Sequence, residues 1–180
     1  MRRTPPRRPE LGGDNGPVTF TIRRARPADH AAVGAITVSA YVDDGHLPPG
    51  IDYAEHLRDA ATRDRDAELW VATSAEGQVL GSVTFAAPGT PYAEVSEPDE
   101  GEFRMLAVAP SARGQGVGEA LVRRCVDRAR ELGLCGVAMS TQPSMTAAHR
   151  VYERLGFVRS PERDWEPVPG VHLIAYHLRF

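Results

Sequence analysis

The residues best placed to do chemistry form one short run, Arg113-Gly114-Gln115-Gly116-Val117-Gly118. It follows an apolar stretch stopped by Pro110 and opens an amphipathic one. The first amides of a helix have no internal partner and stand at the positive end of its dipole, so they bind anions. Glycines at 114, 116 and 118 let the backbone approach a phosphate without Cβ atoms in the way. Arg113 adds a permanent charge and a fork of donors matched to phosphate oxygens. Two other readings fail on the residues. A P-loop needs lysine after its glycines, and all 21 basic residues of this chain are arginine. That composition also excludes Schiff-base lysine chemistry. A dinucleotide fingerprint needs glycine where Glu119 stands. A purely structural glycine turn stays open.

Other reactive types offer less. Cys125 and Cys135 form no CxxC pair and sit among apolar residues, so both read as small core residues. The six histidines show no metal spacing, and no metal is expected.

The elements that must position this run follow from periodicity. Residues 18–24 alternate apolar and polar as a strand. Pro27 opens a helix to about Tyr41, residues 41–50 form a loop, and Asp52 caps a second helix to about Asp66. Residues 68–73 and 78–86 make a hairpin, and 87–101 a long acidic connection. A strand at 102–109 leads into a helix over 114–132, whose apolar residues recur every three or four positions and which Gly133 ends. A strand at 134–141, a helix at 144–155 capped by Ser144, a strand from 157, a Pro-rich loop at 160–170 and a strand at 171–180 complete the order β-α-α-β-β-β-α-β-α-β-β. Residues 1–16, rich in Pro, Gly and Arg, read as a disordered tail, and 17–180 as one α/β domain. Net charge is −3, which argues against nucleic acid. No apolar run approaches the roughly 20 residues that cross a bilayer, and no apolar segment follows the basic start. A cytoplasmic protein is the expectation.

The pattern Arg113-x-x-Gly116-x-Gly118, between a strand and a helix, resembles the pyrophosphate loop of the GNAT superfamily of N-acetyltransferases. Met145-x-x-Ala148-His149-Arg150-Val151-Tyr152-Glu153-Arg154-Leu155-Gly156-Phe157 is similar to that family's late helix. The matched segments cover about residues 102–157. The resemblance implies a GNAT fold, with a mixed, mostly antiparallel sheet of six to seven strands and about four helices. It implies acetyl-CoA as co-substrate and transfer of its acetyl group to a primary amine by direct attack through a tetrahedral intermediate. Residues 113–118 (Arg113, Gly114, Gln115, Gly116, Val117, Gly118) would hold the diphosphate. The backbone of Leu106, Ala107 and Val108 would hold the pantetheine arm, with Leu106 nearest the acetyl carbonyl. Tyr152 matches the family's acid for the departing thiolate. One departure stands out: the family often has Asn where this chain has Met145, which cannot supply the same hydrogen bonds.

The attacking amine must be uncharged, so a base is needed; Glu102 is the candidate, directly or through water, with Glu94 and Glu100 as rivals. The acceptor would meet residues 41–53, 87–101 and 159–165, with Tyr41, Asp44 and Trp165 as contacts. The acidic bias of the first two segments would suit a cationic amine. The alternative is a catalytically silent acyl-CoA-binding or regulatory module. The acceptor, small molecule or peptide, is not named by the residues. A homodimer is compatible with them, though no patch specifies one.

Overall fold

A computed structural model describes residues 19–46 and 53–180. The tail at 1–16 and the cap expected at Asp52 lie outside them. Alternation of side chains organises the sheet. In β2 (Glu68–Ser74), Leu69 and Val71 belong to one buried cluster, with Val33 and Ala60. Ala72 and the partly buried Trp70, on the other face, belong to a larger cluster with Leu121 and Cys125. Strand β3 (Val79–Ala86) is buried at every position, as a strand covered on both faces must be.

These two join β1 (Phe20–Arg24), β4 (Glu100–Val108), β5 (Gly136–Thr141), β6 (Val158–Arg159) and β7 (Ile174–Arg179) in the order β1-β2-β3-β4-β5-β7-β6. Neighbours are antiparallel except β4 and β5. A parallel pair needs a long crossover, and α4 (Val117–Glu131) supplies it. Its residues Val117, Leu121, Val122, Cys125, Val126 and Ala129 are all buried. Complete burial of one such leucine is worth about 1.5–3 kcal/mol. Gly133, at φ +72°, ends the helix in the left-handed conformation expected of it.

The remaining helices are α1 (His30–Val38), α2 (Ala54–Arg58), α3 (Ala60–Asp66) and α5 (Thr146–Arg154). Five helices and seven strands keep the expected order, with local differences. The single helix expected at 52–66 is two, because Asp59 leaves helical geometry (ψ 72°) and caps the second by accepting from the Thr62 amide at 3.0 Å. Ser144 does not cap α5; its hydroxyl lies 2.9 Å from His46 Nδ1, and the helix starts two residues later. Cys125 is buried, but Cys135 is exposed in the link between α4 and β5, against the expectation of a core residue.

Candidate active site

The site begins where β4 stops pairing regularly. Going from Ser82 to Thr84, β3 advances two residues while β4 goes from Ala107 to Arg104, three. The extra residue is a β-bulge, and within it Met105 takes φ +51°, the one positive φ at a non-glycine among the described residues. Holding an L-residue there costs about 1–2 kcal/mol. On its other edge β4 pairs with β5 only at Glu100–Gly136, Gly101–Val137 and Glu102–Ala138. Beyond residue 102 the two strands part, leaving backbone donors and acceptors facing a gap.

At the far end of β4 the chain turns into α4. Gly114 (φ +73°) and Gly116 (φ +81°, capping α4) are exposed, and a Cβ built on either would meet nothing within 4 Å. Among the described residues, the amides of 114–118 have no hydrogen-bond acceptor; the next bond along is from the Ala120 amide to the Gly116 carbonyl. The corner is therefore open, with unused donors. Arg113 Nε donates to the Val108 carbonyl at 3.3 Å, and its Nη2 bonds Asp44 Oδ2 at 2.7 Å. Asp44, expected at the acceptor, thus sits beside the glycine corner, paired with Arg113.

At the bulge and the parted strands lies a cleft of about 590 Å³, counting its open mouth. Its walls come from the parted strands (Arg104, Met105, Ser140, Thr141, Gln142), from the α1–α2 side (Tyr41, Tyr53, Leu57) and from the segment before β7 (Pro167, Val168, Val171, Leu173). Tyr41, named above as an acceptor contact, lines this cleft. Trp165 does not line the cleft: its indole donates to Ser140 Oγ at 3.2 Å and its ring lies 5.9 Å from the Arg104 guanidinium, so it backs the wall. Sequence reasoning passed over Arg104 and residues 167–173. Arg104 stands on β4 opposite Thr84, just before the bulge.

Tyr152 is on α5, its ring centroid 5.7 Å from Phe103, 6.1 Å from Phe157 and 6.2 Å from Tyr176. Burial pushes its phenol above the ordinary range, and the Tyr41 phenol adds to the shift. It therefore stays protonated, and its hydroxyl has no hydrogen-bond partner among the described residues. Burial likewise pushes Tyr41 up to about 12, opposed by the charges of Arg63 and Arg104.

The carboxylates are spoken for. Glu102 is fully buried and does not line the cleft. Its Oε2 accepts from the amides of Glu94, Val95 and Ser96 at 2.7, 2.8 and 3.1 Å. Desolvation holds its pKa above the usual range against those bonds. This corrects the expectation of a direct base: Glu102 anchors the 94–96 loop. Glu94 pairs with Arg104, and Glu100 bonds Arg163 at 2.6 Å and Arg179 at 3.2 Å. Glu97 bonds Arg163 and Asp99 bonds Arg179, at 2.8 and 3.0 Å. The acidic bias of the 87–101 connection is thus neutralised by arginines from elsewhere in the fold.

Comparison with known proteins agrees with this geometry. A model of the acetyltransferase (GNAT) family matches residues 30–157, and the chain belongs to that family. The mycothiol acetyltransferase of Nocardia farcinica is 34% identical over 166 residues, covering 87% of this chain and 51% of the relative. The N-acetylaspartate synthetase of Danio rerio is 35% identical over 104 residues, covering 57% of this chain and 34% of the relative. The chain thus spans about half or less of these relatives' lengths. The Salmonella typhimurium yncA protein, solved with its cofactor acetyl-CoA, shares the fold at a TM-score of 0.65 and 23% identity, over 89% of this chain and 93% of that one.

Proposed function

We propose that this protein transfers the acetyl group of acetyl-CoA to a primary amine, by direct attack without a covalent enzyme intermediate. The observation that carries the reading is the set of open amides at 114–118; the parting of β4 from β5 and the cleft lined by Arg104 and Met105 support it. The family and the acetyl-CoA-bound relative of the same fold support it. When bound, acetyl-CoA supplies an activated thioester. The amides of 114–118, with Arg113, hold the diphosphate. Backbone groups of Leu106, Ala107 and Val108 bind and orient the arm along the gap, and the Leu106 amide donates to the oxygen on which charge develops. The Tyr152 phenol holds the proton that the departing sulfur takes. The buried cysteine Cys125 takes no part, since burial pushes its thiol far above the usual range. The walls at 104–105, 140–142 and 167–173 exclude water and seat the acceptor.

The test is thermal unfolding with acetyl-CoA, together with release of free CoA thiol across a panel of amines. A ligand bound only by the folded state must raise stability, by about 2.7 kcal/mol at a hundred times its Kd. No shift at millimolar acetyl-CoA would remove the reading. A silent acyl-CoA-binding module would give the shift but no thiol release with any amine.

A further inference from the structure

We propose that the acceptor amine carries a carboxylate, bound in the cleft by Arg104, and an apolar body; this rests on the acetyltransferase reading above. Among the described residues, Arg104 is the one charged side chain lining the cleft. Its donors are divided between two sides. Nη1 faces Glu94 and the Tyr92 carbonyl, behind the wall. Nε and Nη2 have no protein partner among the described residues, and neither is among the sealed polar atoms that lack one, so both keep some exposure on a side chain that lines the cleft. A guanidinium held by one edge and free along the other presents a fork suited to a carboxylate.

The surroundings reinforce that sign. Arg63 is fully buried behind the tyrosine wall. It is held by the carbonyl of Leu57 at 2.9 Å, with weaker contacts to the Asp59 carbonyl and the Thr37 hydroxyl. No carboxylate bonds it, and its Nη1 has no partner. Its charge reaches the Tyr41 and Tyr53 phenols that line the cleft. The carboxylates of Glu94, Glu97, Asp99, Glu100 and Glu102 are engaged with arginines or loop amides. The cleft lining offers a polycation no carboxylate among the described residues, whereas an amino acid brings a negative group to the unpartnered donors of Arg104. The same field favours the neutral form of an amine held beside it, which is the form that attacks. Leu57, Val168, Val171 and Leu173 offer the apolar body its contacts.

The experiment compares matched acceptors under saturating acetyl-CoA, reading CoA thiol release. Leucine and phenylalanine are set against isopentylamine and phenethylamine, the same bodies without the carboxylate, with spermidine as the polycation. A charge-assisted contact is worth roughly 10- to 150-fold in specificity, so kcat/KM for each acid exceeds that for its amine by this factor, and spermidine is poorest. Arg104→Gln brings the ratio near one, by lowering kcat/KM for the acids more than for the plain amines. Glu94→Gln, which frees the guanidinium's other edge and leaves Arg104 in place, raises the ratio. A wild-type ratio near or below one, or a ratio that both variants leave unchanged, overturns the proposal. Titration of CoA-saturated protein with N-acetylphenylalanine and N-acetylphenethylamine reads the same preference without turnover: tighter binding of the acid supports it, and equal binding overturns it. Failure of the acetyltransferase reading has a different signature, with no thiol release from any amine and no stabilisation by acetyl-CoA.

Discussion

Gly116 and Gly77 form a matched pair that separates an anion site from a mere turn. Gly116 caps α4 at φ +81°, and Gly77 turns the β2–β3 hairpin at φ +85°. Neither would place a Cβ within 4 Å of another group. Alanine at either position pays the same backbone cost, about 1–2 kcal/mol, which for a domain of this size lowers Tm by roughly 2–8 °C. The two variants diverge only when ligand is added. A Cβ at 116 stands where a diphosphate must approach the amides, whereas one at 77 stands at the tip of a hairpin. Suppose Gly116→Ala weakens acetyl-CoA about 30-fold, or about 2 kcal/mol. At a ligand concentration a hundred times the wild-type Kd, wild type and Gly77→Ala gain about 2.7 kcal/mol, while Gly116→Ala gains about 0.9 kcal/mol. Differential scanning calorimetry with and without acetyl-CoA measures both quantities on one sample. If Gly116→Ala keeps the full ligand-induced shift, the amides of this corner do not hold the diphosphate, and the glycine is there for the turn alone.

Other expectations follow from the same geometry. Tyr152→Phe should lower kcat by roughly 10- to 1,000-fold, with acetyl-CoA affinity and Tm nearly unchanged, because the hydroxyl has no protein partner to lose; steady-state kinetics with calorimetry checks this. Glu102→Ala should cost about 2–4 kcal/mol, since it strands three loop amides, while Glu102→Gln keeps an acceptor and most of the activity; an acidic limb of the pH–rate profile lost in Glu102→Gln with Tm intact would restore Glu102 as a base. Asp44→Asn should tighten acetyl-CoA binding a few-fold by releasing Arg113, read by titration, and weaker binding would argue against the competition. Asp29 and Asp164 are held below the usual carboxylate range by Arg23 and Arg159, so their contribution is present above about pH 4 and is lost as pH falls through their folded values. Glu102 has the opposite sign, its raised pKa taking stability away as pH rises through it. Urea midpoints at pH 3, 5 and 7 should therefore fall steeply on the acid side.

The parts of the fold legible in the sequence were those written in local periodicity. The apolar stripe of α4, the terminal Gly133 and the fully buried β3 all announce themselves within a window of a few residues. So does the open turn at the glycine corner, because its left-handed backbone at 114 and 116 is what glycine spacing records. The acceptor side was less legible. Tyr41 was found, but Asp44 was read as facing the acceptor when an arginine sixty-nine positions away claims it. Glu102 looked like a free carboxylate until three amides of a neighbouring loop closed on it. Arg104 was missed because the cleft it lines is completed by Tyr41, Tyr53 and residues 167–173, distant in sequence. Charges and clefts that depend on distant partners are properties of the assembled sheet.

The exclusive use of arginine has a consequence for a member of an acetyltransferase family. Every ion pair that tethers the connection before β4, and those that pin Asp29, Asp44 and Asp164, rests on a guanidinium. Guanidinium groups stay protonated and do not attack acyl donors at neutral pH. A lysine in any of those places could be slowly capped by an acyl thioester, erasing its charge and the contact with it. No side chain here offers a primary amine, so prolonged exposure to acetyl-CoA leaves the electrostatic scaffold chemically untouched.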